Sequence, residues 1–280
     1  MKELSGKTAV ITGAASGMGL AFAHRFAREG MNVVMSDIEE PRLAEAVAAV
    51  GEHGTGVVGH IADVADGDAV DRLGAATLEA FGAAHVVCNN AGVAGGLMDG
   101  RIDVNDWKWV IDVNLWGVIH GHRVFLPGMI EQGEGHIVNT ASMAGHFPGH
   151  SAYTASKWAV VGISQGLHQQ MAATGSGVGV SCLCPGWVNT DIAKSDRNRP
   201  EWAAPDALVE PTPEVEARWQ FVTDALASGM APDEVAGLVH DAVVNDKFWI
   251  FTDMGMVAML EDKHASIMEN RNPQVMGLID

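Results

Sequence analysis

Short apolar runs rich in β-branched residues alternate along the chain with longer segments whose apolar residues recur at helical spacing. The short runs predict seven strands, at Thr8–Thr12, Val33–Ser36, Thr55–Ile61, Val86–Asn89, His136–Thr140, Val178–Leu183 and Phe248–Phe251. The longer segments predict helices at Leu20–Glu29, Pro41–Val50, Ala69–Phe81, Val104–Ile130, Ala152–Ala173 and Pro232–Val244. Such alternation predicts an α/β fold, a doubly wound parallel sheet with helices on both faces.

One stretch, Ile192–Glu216, departs from this alternation. It collects prolines among charged residues and Trp202; the prolines are Pro200, Pro205, Pro211 and Pro213. A long irregular loop inside a compact domain is usually either a lid over a functional site or disordered. We favour a substrate lid over about residues 192–225. Since no repeat or low-complexity linker divides the remaining sequence, we expect residues 1–280 to form one domain.

The composition argues against several classes of partner. Seventeen basic and 35 acidic residues give a net charge of −18, which disfavours binding to nucleic acid or to an anionic membrane surface. No 18-residue uncharged apolar stretch appears, and the N-terminal residues run into a strand pattern without the apolar core of a signal peptide. We therefore predict no membrane span and a cytoplasmic location.

The three cysteines, Cys88, Cys182 and Cys184, contain no C-x-x-C pair. We expect the last two side chains to point to opposite faces of one strand, and we expect no disulfide framework. Twelve histidines include the pairs His120/His122 and His146/His150. Neither pair has the spacing and acidic or thiolate partners of a metal site, so we predict no catalytic metal.

A glycine-rich turn, Thr12–Gly19, follows the first strand and leads into a helical pattern. Glycines let the backbone approach a pyrophosphate closely, and the helix N-terminus supplies amides for its charge. The residues predicted to bind the pyrophosphate are Gly13, Ser16, Gly17, Met18 and Gly19. The alternative interpretation is a turn that only lets the helix pack closely on the strand.

The second strand ends at Asp37, eighteen residues after Gly19, and Ile38 follows it. A carboxylate at this point can accept hydrogen bonds from the adenosine ribose hydroxyls of a dinucleotide and would repel a 2′-phosphate. Since Arg42 is the nearest base downstream, the pattern favours NAD over NADP. The alternative is that Asp37 caps the next helix.

The single tyrosine, Tyr153, precedes Lys157 by one helical turn. Residues four apart share a helix face, with about 5–6 Å between Cβ atoms. An ammonium about 4 Å from a phenol would stabilise the phenolate by about 4 kcal/mol at an effective dielectric of about 20, roughly three pKa units. We therefore expect Lys157 to lower the pKa of Tyr153 toward neutrality, as suits a general acid–base. The same spacing also occurs where a tyrosine packs and a lysine is solvated.

Further short motifs follow the predicted elements in order. They are Asp63-Val64, Asn89-Asn90-Ala91-Gly92, Val113-Asn114-Leu115, Ser142, and Pro185-Gly186-Trp187-Val188-Asn189-Thr190. Together with the glycine turn, Tyr153 and Lys157, this set resembles the short-chain dehydrogenase/reductase family from roughly Lys7 to Phe251. The resemblance implies a Rossmann-type fold of about seven parallel strands.

The resemblance also implies roles for individual residues. Ser142 would hydrogen-bond the substrate oxygen, and Tyr153 would exchange a proton with it. Lys157 would lower the pKa of Tyr153 and bind the nicotinamide ribose, while Asn114 would hold a water linking Lys157 to solvent. The implied cofactor contacts are Asp63 and Val64 at the adenine, Asn90 and Gly92 at the adenosine ribose, and Val188 and Thr190 at the nicotinamide, with Ala91, Pro185 and Gly186 beside them.

These observations predict an NAD-dependent oxidoreductase that interconverts a secondary alcohol and the corresponding ketone. Trp187, Trp202 and Trp219 lie in or near the proposed lid, which favours a bulky or hydrophobic small molecule as substrate. The alternatives are a catalytically idle NAD-binding protein with a regulatory or structural role, and an isomerase or lyase that keeps NAD bound. The family resemblance further implies a homo-oligomer, commonly a tetramer.

Overall fold

The computed structural model describes residues 1–95, 102–204 and 210–273. Its strands are β1 (Thr8–Thr12), β2 (Asn32–Asp37), β3 (Val57–Ile61), β4 (Val86–Asn89), β5 (Gly135–Thr140), β6 (Val178–Cys184) and β7 (Trp249–Phe251). Its helices are α1 (Gly17–Arg28), α2 (Glu40–Gly51), α3 (Gly67–Phe81), α4 (Val104–Ile111), α5 (Gly117–Gln132), α6 (Ala152–Thr174), α7 (Pro213–Ala227), α8 (Pro232–Asn245), α9 (Met254–Ala258) and α10 (Leu260–Met268). The predicted strands are confirmed to within two residues at each end.

The strands form one sheet in the order β3-β2-β1-β4-β5-β6-β7, and every neighbouring pair is parallel. The strand order reverses between β1 and β4, because β2 and β3 extend to one side of β1 and the later strands to the other. A crevice at the carboxyl ends of the strands beside such a reversal is the usual ligand site of an open α/β sheet. We refer to this crevice, between the ends of β1 and β4, as the cleft.

Alternate residues of each strand bury against opposite layers of helices, which confirms the doubly wound α/β fold. In β1, Ile11 packs in the same cluster as Phe22 and Phe26 of α1. Its neighbour Val10 packs instead with Phe125 of α5 and with Ile137 of β5. Because both faces are covered, apolar residues occupy both faces of the central strands, as Val10 and Ile11 do in β1.

The predicted helix Val104–Ile130 is helical throughout, but a π-helical segment, Asp112–Trp116, separates α4 from α5. A π-helical turn inserts an extra residue into the hydrogen-bond ladder and often occurs at functional sites. Three helices near the C-terminal end, α7, α9 and α10, were not predicted. Of these, α7 begins at Pro213, inside the stretch whose prolines predicted irregular structure, and Leu226 is the one residue of α7 that is buried.

The expectation for the last two cysteines was wrong. The sulfurs of Cys182 and Cys184 lie 3.7 Å apart, because residues two apart along a strand share a face. Cys88, Cys182 and Cys184 are all free and buried. Within the described residues, no helix combines the length and apolar character needed to cross a membrane.

Candidate active site

The glycine turn lies at the carboxyl end of β1 and is shaped by contacts that leave no room for side chains. Gly13 has a φ of +65°, and a Cβ there would lie 2.8 Å from the Cα of Ala91. A Cβ on Gly19 would lie 2.1 Å from the carbonyl oxygen of Gly13. Both contacts are to backbone, so only glycine fits without a backbone shift. The turn is therefore held tightly between β1, α1 and the loop after β4.

The N-terminus of α1 fits the pyrophosphate of a dinucleotide. Ser16 occupies the N-cap position but makes no side-chain capping hydrogen bond, and the first turn contains no acidic residue. The first amides of a helix have no intrahelical acceptor, and the helix dipole favours an anion there. With no capping oxygen and no carboxylate in this turn, the amides after Ser16 suit a bound phosphate group.

Asp37 is the last residue of β2 and holds two neighbouring loops. Its Oδ2 accepts from the amide of Ala15 at 3.0 Å, and its Oδ1 accepts from the amide of Glu39 at 3.1 Å. Asp37 is not the cap of α2, whose N-cap position is Glu39. The carboxylate therefore stands beside the glycine turn, where ribose recognition was expected, and each oxygen keeps lone-pair capacity for a further donor. The next residue, Ile38, is exposed.

Arg42 is already paired with carboxylates. Its Nη1 lies 3.3 Å from Glu39, and its Nη2 lies 3.4 Å from Asp191. A guanidinium held by two carboxylates is poorly placed to neutralise an additional phosphate.

Hydrogen bonds join the loop after β4 to β1. The Thr12 hydroxyl accepts from the amides of Asn90 at 2.9 Å and Ala91 at 3.1 Å. The side-chain amide of Asn90 donates to the Thr12 carbonyl at 3.0 Å, and its oxygen accepts from the Thr140 hydroxyl at 3.3 Å. Thr12 and Thr140 were not among the predicted site residues, although each is the last residue of a strand that ends at the cleft.

Asn114 lies in the π-helical segment and is almost fully buried. Its side-chain oxygen accepts from the Val93 amide at 2.8 Å, and its nitrogen donates to the Val93 carbonyl at 2.9 Å and to Ser156 at 3.1 Å. A Cβ on Gly92 would lie 3.3 Å from Asn114 Oδ1 and 3.6 Å from Lys157 Nζ. Asn114, Gly92 and Lys157 are thus neighbours, and the Asn114 side chain fixes the loop after β4.

Ser142, Tyr153 and Lys157 come together beside the end of β5. Ser142 caps a short 3₁₀ turn, Met143–Gly145, by accepting from the Ala144 amide at 3.1 Å, and its hydroxyl lies 3.5 Å from the Pro185 carbonyl. The same hydroxyl is close enough to the Tyr153 phenol to act on the pKa of that group. Lys157 Nζ lies 5.5 Å from the centre of the Tyr153 ring and donates to the Thr140 carbonyl at 2.9 Å. One face of the first turns of α6 therefore presents a phenol and an ammonium beside a serine hydroxyl.

The expected direction of the Tyr153 shift was wrong. Burial raises the pKa of Tyr153 above its ordinary value, and the hydrogen bond from Ser142 offsets this only in part. Burial lowers the pKa of Lys157 to about 8, although the nearby thiols of Cys182 and Cys184 act in the opposite direction. Coulomb attraction between the two groups does not account for the directions of their pKa shifts, because withdrawing both groups from water favours their neutral forms.

The segment after β6 follows the same edge of the sheet. The Pro185 carbonyl accepts from the Met143 amide at 2.8 Å, and the Gly186 amide donates to the Thr252 hydroxyl at 2.9 Å. Val188 is buried and forms an isolated bridge with Met230. Further along, a Cβ on Gly17 would lie 3.1 Å from the Thr190 methyl group. Thr190 therefore lies against the glycine turn.

Asp63 and Val64 follow β3, farther from the serine–tyrosine–lysine group. Asp63 is exposed, and its Oδ1 accepts from the Ala65 amide at 2.9 Å. Val64 is buried, and a Cβ on Gly117 would lie 2.7 Å from its methyl group. The pair therefore lies at the end of β3, which neighbours β2 in the sheet.

Two of the tryptophans in or near the proposed lid, Trp187 and Trp202, pack in different parts of the protein. Trp187 packs edge-on against Phe221 of α7, with ring centroids 6.0 Å apart, and borders a cavity of about 290 Å³ together with Met230 and Thr252. Trp202 instead lies under the ammonium of Lys108, on the outside of α4. Residues 205–209 of the lid, including Pro205, lie outside the described residues.

Three of the four histidines singled out in the sequence make other contacts, and the fourth, His150, is exposed. His120 stacks on Trp116, and His122 hydrogen-bonds Asn139 at 3.1 Å. His146 lies 3.4 Å from the sulfur of Cys184. Among residues 1–95, 102–204 and 210–273, no group of three or more His, Cys, Asp or Glu side chains is arranged to hold a metal ion.

Comparison with known proteins places this site in a family. The short chain dehydrogenase model matches residues 7–201. The chain is 34% identical over 266 residues to a 1-deoxy-11-beta-hydroxypentalenate dehydrogenase of Streptomyces exfoliatus, covering 93% of this chain and 88% of that protein. It is 39% identical over 201 residues to a 2-(R)-hydroxypropyl-CoM dehydrogenase of Xanthobacter autotrophicus, covering 70% of this chain and 80% of that protein.

A solved structure agrees over almost the whole length. A short chain dehydrogenase/reductase from Burkholderia phymatum, in complex with NAD, superposes with a TM-score of 0.93 at 42% identity and covers 99% of both chains. The family match, these relatives and the seven-stranded parallel sheet agree with one another: the chain belongs to the short-chain dehydrogenase/reductase family of oxidoreductases.

Proposed function

We propose that the protein is an NAD-dependent oxidoreductase that interconverts a secondary alcohol and the corresponding ketone. The observation that supports this most directly is the meeting of Ser142, Tyr153 and Lys157 at the edge of the sheet that also carries the glycine turn. An acid–base group beside a dinucleotide site is what hydride transfer to or from a carbinol carbon requires.

In this proposal, each residue acts on the substrate oxygen or on its neighbour. The Ser142 hydroxyl donates a hydrogen bond to that oxygen and holds it against the phenol. The Tyr153 phenolate accepts the alcohol proton during oxidation, and the neutral phenol donates a proton to the oxygen during ketone reduction. The Lys157 ammonium, anchored on the Thr140 carbonyl, stabilises the phenolate form that exists during the transfer. Asn114 holds the loop around Gly92 in place and lies beside Lys157, where a water would connect the pair to solvent.

The chain's own residues would hold the cofactor along the cleft. The glycine turn and the N-terminus of α1 would take the pyrophosphate, Asp37 the adenosine ribose, and Val188 with Thr190 the nicotinamide. When bound, NAD supplies the hydride acceptor, and its oxidised ring adds a positive charge that favours the ionised form of a nearby phenol. Since burial alone raises the pKa of Tyr153, this charge and Lys157 together are needed to bring the phenol into a useful range.

NAD is the proposed cofactor rather than NADP. Asp37, the proposed ribose ligand, accepts from the amides of Ala15 and Glu39 beside the glycine turn. Arg42, the nearest base, is paired with Glu39 and Asp191. A 2′-phosphate would therefore meet carboxylates without a free cation.

The proposed substrate is a bulky or hydrophobic small molecule, and residues 192–225 are the proposed lid over it. Support comes from Trp187 and Phe221, which face each other beside a cavity of about 290 Å³. Most of the apolar residues of α7 are only partly covered by the described residues, which leaves apolar surface for a substrate to cover.

We place the protein as a single-domain homo-oligomer, a tetramer by family resemblance, in the cytoplasm. Large apolar side chains are exposed along the π-helical segment, α5 and α6, at Trp116, Ile130 and Trp158, and surfaces of this kind favour association between copies. Three free thiols suit a reducing compartment. The net charge of −18 disfavours nucleic acid and anionic membranes as partners.

The test is a panel of aliphatic, alicyclic and aromatic secondary alcohols and ketones, assayed by nicotinamide absorbance with NAD(H) and NADP(H) in parallel. We expect turnover on bulky members and a preference of at least tenfold in kcat/KM for NAD(H). Binding of NADH without turnover on any member would favour the idle NAD-binding protein instead, and a cofactor that stays bound and unchanged through catalysis would favour the isomerase or lyase.

A further inference from the structure

We propose that Glu39 is a positioning residue that fastens the segment Ile192–Asn198 across the cleft, so that its hydrogen bonds set how fast NADH leaves. This inference rests on the proposed binding of NAD. The hydrogen bonds from Arg197 and Asn198 to Glu39 are called the latch below. Neither the glycine turn nor the serine–tyrosine–lysine group includes any of these three residues.

The latch joins two parts of the chain more than 150 residues apart. Glu39 Oε1 accepts from Arg197 Nη2 at 2.7 Å, from Arg197 Nε at 3.0 Å and from Asn198 Nδ2 at 2.9 Å. Its other oxygen lies 3.3 Å from Arg42. Only 18% of the Glu39 side chain is exposed. A carboxylate that receives several charge-assisted bonds in a sheltered position holds its partners more firmly than an isolated surface pair does.

Glu39 is connected directly to the ribose position. Its own amide donates to Asp37 Oδ1, while Asp37 Oδ2 accepts from Ala15 of the glycine turn. A continuous series of hydrogen bonds therefore runs from the glycine turn through Asp37 to Glu39, and from there to Arg197. Movement of Ile192–Asn198 away from the cleft must break the last of these contacts.

Other contacts place the same segment over the cleft. The Ser195 hydroxyl is buried and accepts from the Ala94 amide, in the loop after β4, at 3.0 Å. Just before the segment, the methyl group of Thr190 lies against Gly17. The segment thus spans from the end of β2 to the loop after β4, and the end of β1 lies between these two points in the sheet.

The residue that directly follows the segment, Arg199, is held more strongly than the latch. Arg199 donates to Asp106 at 2.7 Å, with 9% and 10% of the two side chains exposed, and its guanidinium lies 4.3 Å from the Trp109 ring. The Arg197 side chain, by contrast, is 34% exposed. A well-buried ion pair is costly to break, whereas a partly exposed one opens readily. We infer that the segment opens at Glu39 while Arg199 stays in place.

The electrostatics of Glu39 agree with this geometry. Partial burial acts to raise the pKa of Glu39, but hydrogen bonds from Arg197 and Asn198 outweigh it and leave the pKa below its ordinary value. The folded protein therefore favours the charged form, which is the form that holds the latch.

The experiment measures NADH release directly, by stopped-flow fluorescence after displacement with excess NAD. The variants are Glu39→Ala, Arg197→Ala and the double variant, with Glu134→Ala as the matched control. Glu134 pairs with Lys7 at the opposite edge of the sheet. Loss of the latch is expected to raise the release rate about tenfold in each single variant. The double variant should release no faster than Glu39→Ala, because that substitution already removes every hydrogen bond of the latch.

Arg197→Ala separates positioning by Glu39 from direct contact with the cofactor. If Glu39 acted by touching the ribose itself, Glu39→Ala would speed release and Arg197→Ala would not, and the proposal would be overturned. Release rates within twofold of the wild type in both single variants would overturn it as well. Hydrogen exchange of the amides in Ile192–Asn198, expected to quicken about tenfold in both variants without bound cofactor, provides a readout independent of NADH. A wild-type protein that fails to bind NADH would instead refute the proposed function itself.

Discussion

At the residue scale, Lys157 shows most clearly how a residue of the candidate site lowers the stability of the folded protein. The side chain is only 4% exposed, and burial lowers its pKa to about 8. Below pH 8 the folded protein holds a charged group that the unfolded chain would solvate better. Between pH 8 and 10.5 the unfolded chain keeps a proton that the folded protein has lost, so the contribution of Lys157 to stability rises with pH across that window.

We therefore expect Lys157→Met to stabilise the protein at pH 7 while abolishing activity. The shift in pKa corresponds to a cost of about 3 kcal/mol for burying the charge, which the substitution removes. About 1 kcal/mol of this gain is lost again, because the Thr140 carbonyl loses its hydrogen-bond donor. Urea unfolding at pH 7 should show a gain of about 1–2 kcal/mol that shrinks toward pH 10. The exposed Lys2→Met variant should show no such gain. A Lys157→Met protein less stable than wild type at pH 7 would contradict this reading.

At the scale of elements, the turn between β1 and α1 depends on the absence of side chains. A Cβ on Gly19 would meet the Gly13 carbonyl at 2.1 Å, whereas a Cβ on Gly162, within α6, meets nothing within 4 Å. We expect Gly19→Ala to raise the dissociation constant of NADH at least tenfold, because the backbone of the turn must leave the conformation proposed to hold the pyrophosphate. Gly162→Ala should leave it unchanged and stabilise the helix by about 1 kcal/mol. Equal NADH affinities, measured by fluorescence titration, would show that the turn does not hold the cofactor.

The strands and main helices were predictable because their signals are local. Buried parallel strands such as β1 and β5 are short β-branched runs, and α6 has helical periodicity over its whole length. By contrast, α7 was missed although Val215, Trp219 and Val222 recur at helical spacing, because the helix begins at Pro213 within the proline-containing stretch. The π-helical segment between α4 and α5 was missed for a different reason, since one extra residue in a turn leaves a helical pattern almost unchanged.

The proximity of the candidate site residues was predictable, but their electrostatics were not. Tyr153 and Lys157 were paired from their spacing, but the direction of the Tyr153 shift depends on how far the fold withdraws the phenol from water. The latch could not be foreseen either, because Glu39 and Arg197 are ordinary charges in the sequence and meet only in the folded protein.

At the scale of the whole molecule, the strand order explains why residues so distant in sequence share one cleft. The ends of β1, β4 and β5 are neighbours in the sheet, which brings the glycine turn, the loop around Gly92 and the Ser142 turn to a common edge. Helix α6 then returns Tyr153 and Lys157 to the same place. The sheet supplies rigid positions, and we propose that the lid and the latch are the parts that move when cofactor and substrate exchange.

The central claim is that Tyr153 moves the proton while the rest of the cleft binds the dinucleotide. Tyr153→Phe tests it most directly, with kcat on the best alcohol of the panel and NADH affinity measured on the same preparation. We predict that kcat falls by a factor of about 10²–10⁴, while the dissociation constant of NADH changes by no more than about threefold. A variant that keeps kcat within tenfold of the wild type, at equal NADH affinity, would contradict the account.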